Sequence, residues 1–251
     1  MTPLVSIIMP CYNAEAYIEA SIVSVVNQSY QKWELLIVDD NSTDMSSHII
    51  KRFEQQDARI VSLHNHQNLG AAQSRNRALE QAKGRYIAFL DSDDIWLASK
   101  LEKQITLMQE QNVALCYSHY EVIDEEGTPL TAYHAPTHVR YRDMLKTSLI
   151  GTLTMVYDRE LLGTPYFQSI GHEDYVFKLA LLKKIPYAVG IDEILAQYRR
   201  HTQSLSSNKL KTIYWQWRIY REVEKLSLIK SLYYFVHYAY FGVFKYRASP
   251  K

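Results

Sequence analysis

Short apolar runs alternate with stretches of helical spacing over residues 4–90. Residues 4–9 are almost wholly apolar, which predicts a strand buried on both faces, as in a parallel sheet. Pro10 breaks the run. Behind it Ala16, Ile18, Ile22, Val25 and Val26 recur at helical spacing within residues 14–28. The alternation then repeats. Residues 33–38, 59–63 and 86–90 read as further strands. A helix capped by Ser42 or Thr43 is expected to run to about residue 56. Another is expected over 71–83, between the turn Asn68-Leu-Gly70 and Gly84. Four strands alternating with helices predict βαβ units and a mostly parallel sheet.

Beyond residue 96 the pattern loosens. Helices are expected over 97–111, 141–150, 173–182 and 210–227, and strands over 113–120, 153–157, 187–189 and 194–198. Glu125-Glu-Gly-Thr-Pro129 reads as a turn and residues 199–207 as a polar loop. Residues 232–244 are apolar and aromatic, with Lys230 before them and Lys245 and Arg247 after them. The run is shorter than the ~20 residues that a spanning helix needs. It fits a helix lying in a membrane interface, and equally one packed on the body or on a second subunit.

The chain has 251 residues and a formal net charge of +1, which suits one domain with an appendage and points away from a nucleic-acid partner. The charge is unevenly placed. From Lys209 onward the acids are only Glu222 and Glu224, against Lys209, Lys211, Arg218, Arg221, Lys225, Lys230, Lys245, Arg247 and Lys251. A body over 1–207, with halves 1–112 and 113–207, and a basic aromatic helical tail over 208–251 are therefore expected. Cys11 and Cys116 each lie in an apolar stretch, which favours two buried thiols over a disulfide. No signal peptide is legible. The expected location is the reducing cytoplasm, with peripheral contact at the inner face of the cell membrane through the tail.

The candidate chemistry sits where the 86–90 strand ends in Asp91, Asp93 and Asp94. Open α/β sheets bind ligands at the carboxyl ends of their strands. Three hard oxygen ligands there suit Mn²⁺ or Mg²⁺ gripping a diphosphate. The bland reading is an acidic helix start, with Asp93 or Asp94 capping a helix that opens at Ile95-Trp-Leu97. Asn13 and Asp40 end their own strands, so they should converge with the acids on one edge.

Five motifs in order resemble the inverting family 2 glycosyltransferases, over roughly residues 4–201. They are Val5-Ser-Ile-Ile-Met-Pro-Cys-Tyr-Asn13, Val38-Asp-Asp-Asn-Ser-Thr-Asp44, Asn68-Leu-Gly70 with Ser74-Arg75-Asn76, Phe89-Leu-Asp-Ser-Asp-Asp94, and His172-Glu173-Asp174. Asn41 stands where the family usually has Gly, a mild departure because Asn tolerates φ > 0. The resemblance implies a GT-A fold: α/β, Rossmann-like, a mostly parallel central sheet flanked by helices, here with a C-terminal helical extension. It implies that Pro10, Tyr12 and Asn13 line a nucleotide pocket and that Asp40 bonds the base. Arg75 would neutralise diphosphate, or be a surface residue of its helix. Asp91 and Asp93 would hold the donor, with Asp93 the metal ligand, joined by Asp91 and by His201. Asp174 would be the general base, with Glu173 beside it. The implied partners are a nucleotide-sugar donor of the UDP type and a glycan or lipid-linked acceptor, and the cofactor is Mn²⁺ or Mg²⁺. Gln197-Tyr-Arg-Arg200 is followed by His201 where processive members have Trp, so transfer of one sugar is expected. A sugar nucleotidyltransferase and a non-catalytic nucleotide-binding protein at the membrane are the alternatives. The turn after the first strand has neither the Gly nor the Lys of the former.

Overall fold

The structure, a computed structural model, describes residues 2–201 and 209–244. The first half follows the expected alternation: β1 (Val5–Cys11), α1 (Ile18–Val26), β2 (Trp33–Asp39), α2 (Ser46–Gln56), β3 (Ile60–His64), α3 (Ala71–Gln81) and β4 (Tyr86–Phe89). β1 pairs in parallel with β2 and β4, and β2 with β3. Side chains on these strands alternate between two cores, one on each sheet face. Val5, Ile7 and Met9 pack with Trp33, Leu35 and Ile37 against α1 and Ile50 of α2. Ile8 packs with Leu36, Val38 and Phe89 against Ala72, Ala78 and Leu79 of α3 on the other face. Burial on both faces is the reason these strands read as continuous apolar runs. Pro10 lies within β1, two residues beyond the last β4 pair, Ile8–Phe89, so its missing N–H leaves no gap in that ladder.

The second half completes a ten-stranded sheet among the described residues, in the order β3-β2-β1-β4-β9-β6-β10-β5. Here β5 is Ile95–Trp96, β6 Leu115–Ile123, β9 Val156–Asp158 and β10 Ala188–Arg199; β7 (Pro129–Tyr133) flanks β6 and β8 (His138–Val139) flanks β10. The helices are α4 (Lys100–Glu110), α5 (Tyr141–Met144), α6 (Arg159–Leu162), α7 (Glu173–Leu182), α8 (Lys209–Arg218), which runs into a π-turn at Ile219–Val223, and α9 (Leu228–Phe244). The mixed sheet flanked by helices is the expected fold class. Cys11 and Cys116 are buried free thiols, and burial raises both to about 12.

Four local expectations are corrected. The helix expected to open at Ser42 or Thr43 opens at Ser46. Ser42 and Thr43 instead bond the Asn13 turn, and the Asp44 carboxylate accepts from the Ser46 N–H at 2.9 Å. The helix over 141–150 stops at Met144, because the carbonyls of Met144, Leu145 and Ile150 are taken by Tyr175, Tyr220 and Lys178. The two short strands over 187–198 are one strand whose register slips at Ile191–Ile194 and Ile194–Ala196. No helix starts at Ile95: Trp96 and Ile95 pair with Ala196 and Gln197 of β10, so neither Asp93 nor Asp94 is a helix cap.

The tail is tied to the body. Ile219 and Tyr220 are fully buried in the core that holds α7, and the Glu224 carboxylate accepts from Lys183 and Tyr141. Phe235 and Tyr234 of α9 pack on Trp217 and Tyr220. The opposite face of α9 is exposed and apolar, with Ile229, Val236 and Tyr240 prominent on it. Among the described residues no helix is long and apolar enough to cross a membrane. The expected boundary at 207/208 and the basic residues Lys245, Arg247 and Lys251 lie outside the described residues.

Candidate active site

The parallel strands β1, β2 and β4 end at one edge, and the loops there carry the polar residues. Asn13 has φ of 47°, and its Oδ1 accepts from the Thr43 N–H at 2.8 Å, joining the turns after β1 and β2. Asn41, at φ of 65°, takes the left-handed conformation for which Asn substitutes for Gly. Tyr12 is half exposed on this edge, whereas Pro10 is buried within β1. Asp40 is also buried. It accepts from the N–H groups of Leu69 and Gly70 at 2.9 and 2.7 Å and from the Asn65 amide at 2.6 Å. Burial pushes its pKa up, but these donors outweigh burial and hold it below the ordinary carboxylate value. Asp40 therefore sets the turn that opens α3, whose preceding Gly70 has φ of 84°.

That turn delivers Arg75. The side chain is buried, not at the surface. One guanidinium nitrogen bonds Asp91 at 2.6 Å and another bonds Asp174 at 3.0 Å. Its Nε is buried with no hydrogen-bond partner. One cation thus bridges the end of β4 and the start of α7. The second Asp174 oxygen accepts from the Thr152 hydroxyl at 3.0 Å, and Lys178 donates to that hydroxyl at 3.1 Å. Burial raises the Asp174 pKa, but Arg75, Lys178 and the Thr152 hydroxyl together hold it below its ordinary value. Asp91 goes the other way: burial, with repulsion from Asp174 and Asp93, outweighs Arg75 and raises it. Glu173, in the same first turn of α7, is half-buried.

The acid loop itself is fixed from β10. The Arg199 N–H donates to the Asp94 carboxylate at 2.9 Å, and Arg199 Nε donates to the Asp93 carbonyl at 3.0 Å. Burial and the charges of Asp93 and Asp91 push Asp94 well above the ordinary range. Asp93 is the more open of the two, and its Oδ2 lies 2.8 Å from His201 Nε2. His201 packs on Tyr17, with ring centroids 5.2 Å apart. Among the described residues no group of three or more His, Cys, Asp or Glu side chains is arranged as a metal cage. Asp93 and His201 are adjacent, while Asp91 is engaged by Arg75.

Asp91, Asp94, Asp174, Thr152 and Lys178 line a cavity of about 290 Å³ together with Tyr120, Tyr133 and Tyr198. The base segment is also held from behind. His172, with φ of 51°, stands edge-on to Trp215 of α8 at 5.5 Å. Gly171 lies so close to Trp215 that a Cβ there would approach the indole to 2.3 Å. The sequence reading missed Thr152, Lys178, Arg199 and Trp215. Lys178 had a visible signal, being a lone cation in the apolar run Phe177-Lys-Leu-Ala-Leu-Leu182; Thr152 had none.

The family model for glycosyl transferase family 2 matches residues 6–163, which is more than half of the chain. The chain belongs to glycosyltransferase family 2. It is a glycosyltransferase, and the nucleotidyltransferase and non-catalytic alternatives fall away. TuaG of Bacillus subtilis (strain 168), named provisionally as a teichuronic acid biosynthesis glycosyltransferase, is 46% identical over 94% of this chain and 95% of its own length. An Escherichia coli enzyme, UDP-Glc:alpha-D-GlcNAc-diphosphoundecaprenol beta-1,3-glucosyltransferase WfgD, is 43% identical over 99% of this chain and 97% of its own. The solved structure of Staphylococcus aureus TarS 1–349 with UDP-GlcNAc superposes with a TM-score of 0.69 at 23% identity, over 81% of this transferase and 60% of that chain. The mannosyltransferase PcManGT of Pyrobaculum calidifontis, solved with GDP-Man and Mn²⁺, gives 0.67 at 16% identity over 100% of this chain and 77% of its own. These likenesses confirm the GT-A fold.

Proposed function

We propose that this transferase is inverting and non-processive, moving one sugar from a UDP-sugar to a hydroxyl of a lipid-linked sugar, with Asp174 as the general base. One observation carries the reading. Asp174 faces a cavity, is kept anionic by Arg75 and Lys178, and has its carboxylate oriented by Arg75 on one oxygen and Thr152 on the other. A carboxylate so held can take a proton from a hydroxyl brought within hydrogen-bond reach, and general-base help of this kind is worth ~10²–10⁴-fold. Inversion places the attacking hydroxyl opposite the leaving diphosphate. Asp174 lines the cavity and Asp93 does not, which supports a base set apart from the proposed metal ligand.

The edge formed by Tyr12, Asn13 and Asp40 is where the nucleotide belongs, as in any open α/β sheet. Asp40, at the end of β2 on this edge, would bond the base. Pro10 shapes this edge from within β1. Asp91, fixed by Arg75, would accept from donor hydroxyls, and Arg75 adds positive potential beneath the diphosphate. Glu173 would contact the acceptor beside the base.

Asp93 and His201 fit a divalent ion. One carboxylate and one imidazole suit Mn²⁺, and ions at diphosphate sites commonly take one or two carboxylates, with substrate phosphates and water completing the shell. Such an ion would stabilise the negative charge that develops on the leaving nucleoside diphosphate. WfgD names UDP-Glc and a GlcNAc-diphosphoundecaprenol, so these are the first donor and acceptor to test. The exposed apolar face of α9, with Arg221, Lys225 and Lys230 exposed near its start, would hold a cytoplasmic enzyme against the membrane that carries such an acceptor. The test is a turnover assay with UDP-sugars, Mn²⁺ and a short-chain GlcNAc-diphosphate lipid. Release of UDP with a β-linked product supports the reading. A retained anomeric configuration, or full activity in Asp174→Asn, sinks it.

A further inference from the structure

We infer that Tyr120, Tyr133 and Tyr198 form the acceptor-sugar subsite, an aromatic wall that takes the C–H face of the pyranose whose hydroxyl Asp174 deprotonates. The inference rests on the assignment of Asp174 as base and goes beyond it by naming what recognises the acceptor ring. The three tyrosines come from three neighbouring strands, β7, β6 and β10. Tyr120 and Tyr133 are directly opposite in the β6–β7 ladder, and their rings stack with centroids 5.1 Å apart at 29°. Tyr198 stands edge-on to Tyr120 at 6.1 Å and 73°. All three line the cavity that holds Asp174, and Tyr198 remains 40% exposed.

The wall is pre-set. A Cβ on Gly151 would sit 3.1 Å from the Tyr120 ring, so only the missing side chain lets the segment before Thr152 press on that ring. Thr152 in turn carries the hydroxyl that orients Asp174. The aromatic wall and the base are therefore joined through one short segment, Gly151-Thr152.

The chemistry points to a sugar ring. An aromatic face is the negative end of a quadrupole. The axial C–H bonds of a chair pyranose present a weakly positive, apolar patch of matching size. Asp93, His201 and residues 10–13 do not line this cavity, whereas Asp174 and Asp91, the acid assigned to donor hydroxyls, both do, so the cavity is where donor sugar and acceptor ring would meet, with the tyrosines left to the acceptor. At about 290 Å³ the cavity lies at the small end of ligand pockets, which start near roughly 300 Å³. It has room for a single ring, with the diphosphate-lipid end outside.

Tyr198 is the ring to change, because it is exposed and on no helix that supports the base. Acceptor affinity is read on the full chain by ligand-observed NMR with a short-alkyl GlcNAc diphosphate, and nucleotide affinity by calorimetry with UDP and Mn²⁺. Tyr198→Leu and Tyr198→Ala are expected to weaken the acceptor about three- to tenfold, the range of one aromatic contact. Tyr198→Phe should bind it as the wild type does, and UDP affinity should not move in any of the three. The inference is overturned if the wild-type chain does not bind the probe. It is also overturned if Tyr198→Leu binds as the wild type does, or if the loss falls equally on UDP. Turnover by Asp174→Asn, read separately as UDP release, would instead sink the base assignment on which the wall's role rests.

Discussion

Replacing Arg75 by Met tests whether one cation holds the two halves of the site together. The guanidinium bonds Asp91 at 2.6 Å and Asp174 at 3.0 Å, and its side chain is only 6% exposed. Met fills similar volume but returns neither bond. Removing one partner of a buried pair costs about 3–5 kcal/mol, because the other charge is left uncompensated. Here the two carboxylates keep 37% and 32% of their exposure and can rehydrate, so solvent lowers the cost to about 2 kcal/mol. In a domain of this size that is a Tm fall of roughly 4–8 °C. The sign with pH follows from the shifts. Asp174 is held below its ordinary value, so its pairing stabilises the fold above the unfolded value and the benefit is lost as pH falls through its lower folded pKa. Asp91 is raised, so its ionisation costs stability at neutral pH and that cost disappears on acidification. Without Arg75 both acids rise. The variant's penalty should therefore be largest near neutrality and shrink as pH falls, first as the variant's raised acids protonate and finally below about 4, the ordinary carboxylate value, where wild-type Asp174 protonates too. Scanning calorimetry of both proteins from neutral pH down to about 3, below the ordinary carboxylate range, reads this directly. An equal Tm at neutrality, or a penalty that does not change with pH, would refute the electrostatic clamp.

Asp174→Asn keeps the Thr152 contact but removes the proton acceptor; kcat should fall by about 10²-fold or more, with UDP affinity unchanged. Asp93→Ala should lose Mn²⁺-dependent tightening of UDP binding in calorimetry, and unchanged tightening would move the metal elsewhere. Trp215→Ala removes the support behind Gly171 and His172, so kcat should drop several-fold while donor KM stays put. A kcat within error of the wild type would make α8 a bystander. Cutting the chain after Ser227 should release it from anionic vesicles yet leave turnover of a soluble acceptor, because Trp215 and Tyr220 are retained. Vesicle binding that survives the cut would refute α9 as the anchor.

The strands of the first half were legible because each is buried on both faces and reads as an unbroken apolar run. The acid cluster at the end of β4 was legible for the same reason, since the run's end marks the sheet edge. What was hidden depends on contacts distant in sequence. Arg75 read as a diphosphate contact or a helix-surface cation, and only its juxtaposition with Asp91 and Asp174, 16 and 99 residues away, makes it a clamp. The caps of α2 were misplaced because Ser42 and Thr43 bond the Asn13 turn, a partner 29 and 30 residues distant. β10 read as two pieces because polar Asp192 and Glu193 fall at the first of its two slips and interrupt the apolar pattern. The π-turn at Ile219–Val223 has no local signature, and it is what buries Tyr220 against α5 and α7.

Four carboxylates crowd this site, and their surroundings sort them into different tasks. Asp94 is sealed under the Arg199 backbone and pushed toward neutrality by burial and by its neighbours' charge, which suits a loop brace. Asp91 is raised but gripped by Arg75, a fixed acceptor between the two halves. Asp93 is the partner of His201 and is more exposed than Asp94. Asp174 is lowered, by two cations and a hydroxyl, while still facing the cavity. Environments that drive like groups apart in pKa are how a site assigns acid, base and structural roles. The motif order of the chain names candidates for these tasks. Separating them takes Arg75, Lys178 and Arg199, cations that the motifs do not single out for this work: Arg75 and Arg199 act on carboxylates far from them in sequence, and Lys178 acts on Asp174 from the next turn of α7.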